Sequence, residues 1–174
     1  MPQAVAGEKY SLWLMPAGDV YDRLSGIIQR FSSRYGGPTF APHVTLLGQC
    51  VGPIRELMRK TAAVAAGSRP LSIRLQAIDF LDEYYRCLFV RGAPSEPLRK
   101  AHRAACHAFG RKREPAFMPH LSLLYGNFPQ SLKKQAIEEM GPPLDIQFTA
   151  RRIHLYRTHG DPSQWRRMAR FALR

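Results

Sequence analysis

Alternation of apolar and polar positions marks the first element: Lys9 to Met15 places Tyr10, Leu12 and Leu14 on one side, the period of a strand. From Asp19 to Tyr35 the period lengthens. Val20, Leu24, Ile27, Ile28, Phe31 and Tyr35 recur at helical spacing, and Gly36-Gly37 stops the helix. His43 to Leu47 predicts a strand, and Pro53 to Ala66 a helix with proline in its first turn and Gly67 at its end. Leu71 to Leu81 and Tyr84 to Arg91 predict two strands joined by a tight turn near Asp82-Glu83. A helix over Glu96 to Phe109 carries Leu98, Ala101, Ala105 and Phe109 on its apolar side. His120 to Tyr125 is a further strand, and Ser131 to Met140 a short helix ended by Gly141-Pro142-Pro143. Asp145 to Thr158 and Gln164 to Leu173 predict a closing hairpin across His159-Gly160-Asp161-Pro162. Strands and helices alternate, with antiparallel pairs between them, so the expected fold class is α+β.

The pattern repeats. Pro38 to Leu47 reads P-T-F-A-P-H-V-T-L-L, and Pro115 to Leu124 reads P-A-F-M-P-H-L-S-L-L. The register holds over the ten residues with a constant offset of 77, from His43 to His120 and from Thr45 to Ser122. Two similar lobes, each carrying one motif copy, are therefore expected within a single domain over 1–174.

In a strand, residues i and i+2 point to the same side. His43 and Thr45 share a face, as do His120 and Ser122, while Val44, Leu46, Leu121 and Leu123 point into the core. If an approximate two-fold axis relates the lobes, two imidazoles and two hydroxyls line one cleft. Paired histidines suit a reaction in which one proton is removed and another delivered. Hydroxyls suit the non-bridging oxygens of a phosphoryl group. Opening a cyclic phosphodiester makes those demands. A lone strand histidine is more often a structural residue, but core packing alone would repeat the apolar pattern without an imidazole in both copies. Neither motif contains Asp, Glu or Cys, and HExxH and HxH spacings are absent, so metal-free acid–base chemistry is expected with no cofactor.

Composition narrows the partner. Among 174 residues, 26 Lys and Arg face 13 Asp and Glu, a formal charge of +13 that biases the chain towards anionic ligands. The 45% hydrophobic content excludes disorder as the default state. No apolar run reaches the roughly 18 to 20 residues of a membrane span, and MPQAVAGEKY lacks the marks of a secretory signal. Cys50, Cys87 and Cys106 are scattered and read as reduced thiols. A cytoplasmic monomer without membrane association is the expectation.

The doubled, proline-flanked H-x-[T/S] motif resembles the 2H phosphoesterase superfamily. More narrowly, KYSLWLMP, then P-T-F-A-P-H-V-T-L-L and P-A-F-M-P-H-L-S-L-L-Y, are similar to the cyclic nucleotide phosphodiesterases of plants and yeast. The resemblance implies a bilobal α+β fold with antiparallel sheets lining a central cleft. It implies metal-independent opening of nucleoside 2′,3′-cyclic phosphates to 2′-phosphates and of ADP-ribose 1″,2″-cyclic phosphate to ADP-ribose 1″-phosphate. His43 and His120 match the catalytic histidines, Thr45 and Ser122 the phosphate-binding hydroxyls, and Tyr125 a tyrosine of the site. Tyr125 lies at i+5 from His120, nominally on the opposite face, so the role requires the strand to end or bend there. Trp13 and Tyr85 match aromatic positions and read as base-stacking surfaces, with core packing as the alternative for each. The three cysteines do not reproduce the disulfide-capable set of the plant members.

Charge is uneven: seven arginines face one aspartate, Asp161, between residues 150 and 174, and Arg111-Lys112-Arg113 precedes the second motif. His159 is a weaker site candidate, and His102 and His107 receive no role. Three readings follow. The first is a cyclic phosphodiesterase on small cyclic nucleotides or ADP-ribose cyclic phosphate, with His43 and His120 sharing the general acid and base roles. The near-symmetry of the motifs leaves both divisions open, the favoured one having His120 activate water and His43 protonate the leaving oxygen. The second is an RNA 2′,3′-cyclic phosphodiesterase related to 2′-5′ RNA ligases, acting on RNA ends. The third is a non-catalytic RNA- or nucleotide-binding module.

Overall fold

The computed structural model describes residues 7–112 and 116–174. In chain order the elements are β1 (Tyr10–Leu14), α1 (Gly18–Tyr35), β2 (Val44–Cys50), α2 (Ile54–Ala66), β3 (Leu71–Asp79) and β4 (Leu88–Gly92). They continue with α3 (Glu96–Ala108), β5 (His120–Leu124), α4 (Gln130–Met140), β6 (Ile146–Ala150), β7 (Arg152–Arg157) and β8 (Arg166–Ala172). The strands form one antiparallel sheet in the order β6-β3-β4-β5-β2-β1-β7-β8.

The repeat organises this sheet. β1-α1-β2-α2 and β4-α3-β5-α4 have the same order, and each half contributes four neighbouring strands. The halves touch through the motif strands, where Val44 pairs with Leu121, the residue after each motif histidine. Trp13 pairs with Thr45 in one half, and Phe89 with Ser122 in the other. α1 packs against β5 and α3 against β2, so each motif strand is covered by a helix from the other half. Leu24, Ile28 and Phe31 of α1 are buried, the face the helical spacing predicts. Each such fully buried side chain contributes about 1.5–3 kcal/mol.

Two elements differ from the sequence reading. The expected strand from Asp145 to Thr158 is two strands on opposite halves: β6 pairs with β3 and β7 with β1. Ile146, Phe148 and Ala150 are buried, but the next buried positions are Ile153 and Leu155, so the period of two slips across Arg151-Arg152. That slip is where the chain crosses between halves. Tyr84 to Arg86, expected to open a strand, forms a 3-10 turn before β4. Lys133 fixes this region from α4: it is 2% exposed, and its Nζ donates to Leu81 O at 2.8 Å and to Asp82 Oδ1 at 2.7 Å. The closing hairpin is present as β7 and β8, with an irregularity opposite Leu155-Tyr156.

Chain crossing near the second motif depends on one glycine. A Cβ on Gly37 would lie 2.6 Å from the backbone oxygen of Tyr125. Only a residue without a side chain lets the segment after α1 pass over the end of β5.

Candidate active site

Both motif histidines stand at the head of their strands, His120 as the first residue of β5 and His43 just before β2. Val44, Leu46, Leu121 and Leu123 are at most 1% exposed, which fixes the pleat. The alternate residues, His43 and Thr45, His120 and Ser122, face a common cavity of about 590 Å³. The structure thus brings together all four residues that the repeat singles out.

The imidazoles are held in the same way. His43 Nδ1 lies 2.7 Å from Ala41 O, and His120 Nδ1 lies 2.9 Å from Met118 O. A carbonyl only accepts, so each Nδ1 carries the proton and each Nε2 remains for proton exchange. Ala41 and Met118 precede Pro42 and Pro119, whose rings restrict the preceding residue to extended backbone. The repeated proline therefore serves to place the carbonyl that orients each ring.

Burial pushes the His43 pKa down to about 3, with a smaller downward contribution from His120. His120 is also lowered, by burial first and then by the charges of Arg86 and Arg91. Both rings are neutral at pH 7, and a bound phosphate anion favours the charged form of each. The unfolded chain binds a proton at His43 near 6.5 and the folded chain only near 3, so stability is full above 6.5 and falls as pH drops through that window. Lowering the pH from 7 to 5 should cost roughly 2 kcal/mol through this residue. His43→Asn should show a shallower fall of the urea midpoint over that range; an equal slope in both proteins would refute the assignment.

Tyr125 reaches the cavity because β5 ends at Leu124 and the chain turns at Gly126, which has φ +150°. The Tyr125 ring stacks on Phe40 at 3.7 Å, and its hydroxyl contacts Ser122. Burial raises its pKa well above the ordinary tyrosine range, so it remains a protonated donor. Ser122 Oγ donates to Tyr85 O at 2.9 Å, which ties the second motif to the 3-10 turn.

The two aromatic candidates separate. Tyr85 is 46% exposed at the cavity, with its ring available to a base. Trp13 is 2% exposed, stacked with His43 at a centroid distance of 3.5 Å and with Tyr156 at 3.9 Å. It has no free face for a base. The reading of Trp13 as a stacking surface is corrected: protein rings occupy it, and its role is to hold the His43 plane.

Trp165 is a site residue that sequence reasoning misses. It lines the cavity from the turn between β7 and β8, and its Nε1 donates to Gly160 O at 3.1 Å. Its ring faces Tyr85 and Tyr125, each at 5.9 Å. Nothing local in Q-W-R-R signals this, because the neighbouring aromatics come from distant segments. Lys9, Gln49 and His159 also line the cavity, which places the weaker candidate His159 beside the site. Gln49 is the one non-glycine with positive φ (54°) among the described residues. Arg111 Nη2 holds this segment through Gly48 O at 2.8 Å and Gln49 O at 2.6 Å. Arg113 and Pro115 lie outside the described residues. His102 is structural, bonded through Nδ1 to Leu46 O and stacked on Phe117. No carboxylate stands among the described residues lining the cavity, a donor set suited to an anion.

A family model for the 2′-5′ RNA ligase superfamily matches residues 20–162. The chain belongs to this superfamily, the 2H phosphoesterases. A cyclic phosphodiesterase of Arabidopsis thaliana is 24% identical over 160 residues, covering 90% of this chain and 88% of the relative. The fold is shared with Escherichia coli LigT crystallised with 3′-AMP, at a TM-score of 0.64 and 14% identity over 95% of this chain and 98% of that one. The protein TT0787 of Thermus thermophilus gives a TM-score of 0.64 and 17% identity over the same shares. The expected α+β class and the expected superfamily both hold. Among the described residues no helix is long and apolar enough to cross a membrane.

Proposed function

We propose that this phosphodiesterase opens five-membered cyclic phosphates: nucleoside 2′,3′-cyclic phosphates to 2′-phosphates, and ADP-ribose 1″,2″-cyclic phosphate to ADP-ribose 1″-phosphate. The observation that carries the reading is the matched pair of imidazoles, each tied at Nδ1 with Nε2 left free, beside two hydroxyls in one cavity. The catalytic residues are His43 and His120, and Thr45, Ser122 and Tyr125 hold the phosphate oxygens. His120 Nε2 accepts a proton from water as the water oxygen bonds to phosphorus. The P–O3′ bond breaks, and His43 Nε2–H delivers its proton to the departing oxygen. His120 acts as the base because burial, with the charges of Arg86 and Arg91 added, keeps it neutral. His43, which burial holds neutral in the free protein, takes up its proton with the phosphate anion bound. The substrate's own charge offsets the burial of His43. Hydroxyl donors at the non-bridging oxygens stabilise charge that develops in the transition state.

A second reading, RNA ends bearing a 2′,3′-cyclic phosphate, is favoured by unpaired basic surface beside the cleft. Both readings use a small cyclic phosphate and the same residues. Incubation of the purified protein with 2′,3′-cyclic AMP in EDTA, with chromatography of the product, tests the chemistry. Formation of the 2′-phosphate is expected. No turnover of cyclic AMP or of a cyclic-ended oligonucleotide would leave a binding module as the reading.

A further inference from the structure

The cavity holds a charge that neither motif supplies. Arg86, the last residue of the 3-10 turn, lines it beside His120 and Ser122. Among the described lining residues, Arg86 and Lys9 carry the permanent positive charges. Lys9 lies four residues from Trp13, the partner of Thr45, a distance of about 13 Å at the rise of a strand. Arg86 is therefore the cation at the histidine end, where its charge and that of Glu83 both reach His120.

The backbone of the turn is fixed from three sides. Leu81 N–H donates to Arg86 O at 2.9 Å, Gly126 N–H to Tyr84 O at 3.0 Å, and Ser122 Oγ to Tyr85 O at 2.9 Å. The side chain is only half committed. Nε donates to Glu83 Oε2 at 2.7 Å and Nη2 to Glu83 Oε1 at 2.8 Å. A guanidinium carries five N–H groups in a planar fork. Glu83 takes two, and among the described residues no acceptor engages Nη1. The outer edge, Nη1 with the second hydrogen of Nη2, matches two oxygens of a phosphate. Ser122, the motif hydroxyl on this side, must turn its single hydrogen from Tyr85 O to reach a phosphate oxygen. Arg86 needs no such exchange.

We propose that Arg86 is a further phosphate-binding residue of this site, its outer edge taking the non-bridging oxygens, and that Glu83 moderates its hold on the product. The inference rests on the hydrolytic reading above and adds a residue pair to it. As water bonds to phosphorus, charge grows on those oxygens, so a guanidinium there favours the transition state over the substrate monoanion. Opening the ring leaves a phosphate monoester that approaches two negative charges at neutral pH. The same guanidinium holds that product more tightly than the substrate. Glu83, paired with Arg86, repels the second charge and favours release.

The test pairs Arg86→Gln with Glu83→Gln. Turnover of 2′,3′-cyclic AMP, calorimetric titration with 2′-AMP and a melting curve are measured for each variant and for wild type. Arg86→Gln is expected to lower kcat/KM about a hundredfold, mostly through kcat, and 2′-AMP affinity about thirtyfold. Glu83→Gln should keep kcat/KM within about threefold of wild type and bind 2′-AMP about fivefold tighter. A merely structural ion pair forecasts something else, since breaking it from either end would cost the same stability and activity. Equal losses in the two variants, or an Arg86→Gln protein that matches wild type, would overturn the assignment of Arg86. Unchanged or weaker 2′-AMP binding by Glu83→Gln would overturn the role of Glu83. Wild-type protein that binds 2′-AMP without turning over cyclic AMP would sink the hydrolytic reading, and the two titrations would then decide the pair. Wild-type protein that binds no 2′-AMP would overturn the proposal outright.

Discussion

Replacing His120 with alanine is expected to lower kcat on 2′,3′-cyclic AMP by about a thousandfold, within the usual range for losing a positioned proton donor or acceptor. His43→Ala should lose a similar factor. The two losses should not multiply: if water activation and leaving-group protonation belong to one displacement, removing either partner disables the step and the double variant adds little. His120 is partly exposed, so its truncation leaves the core intact. His43 is 7% exposed and packed on Trp13, so its variant needs a melting curve beside the assay. Either single variant retaining more than a tenth of wild-type turnover at unchanged stability would defeat the two-histidine mechanism. A variant that lost only KM would instead recast that histidine as a binding group.

The same pair explains an expected pH behaviour. Both histidines are lowered in the free protein, and the phosphate anion opposes that shift once bound. The alkaline limb of kcat/KM, set by the free protein, should therefore lie below that of kcat, set by the complex. Coincident limbs would show that the substrate's charge does not reach the rings.

How far the sequence reaches depends on which interactions fix each feature. The motif strands are legible because two local facts coincide, a period of two and a 77-residue repeat, and both survive any tertiary arrangement. Their neighbours are legible too, since Gly36 and Gly67 end the helices they follow. The division of 145–158 into β6 and β7 is written in the slip from Ala150 to Ile153, but uniform strand propensity hides it. Tyr84 to Arg86 reads as strand by composition, yet tertiary contacts win. Lys133 ties down the preceding turn, and Gly126 N–H donates to Tyr84 O. The aromatics are least legible. Whether a ring packs or presents a face depends on what covers it, and for Trp13 those partners sit 30 and 143 residues away in His43 and Tyr156. Trp165 enters the site through a turn whose direction no local pattern encodes.

Trp13 gives the second large effect. Trp13→Ala removes a ring that is 2% exposed and sandwiched by two others, so a loss of about 3–5 kcal/mol is expected. For a chain of this size that lowers the melting temperature by roughly 6–20 °C. Turnover should fall by more than the unfolded fraction explains, because His43 loses the surface that sets its plane and keeps its bond to Ala41 O and an edge contact with Phe40. Water entering the space would ease the burial that depresses His43, so its pKa should move back up towards 6.5. Trp13→Phe keeps a stacked ring and should retain most stability and turnover. The alternative role makes an opposite forecast: a base-stacking Trp13 would raise KM for cyclic AMP in the alanine variant while leaving the melting temperature and kcat untouched. The burial of both ring faces argues against that outcome, since a base cannot stack where His43 and Tyr156 already lie.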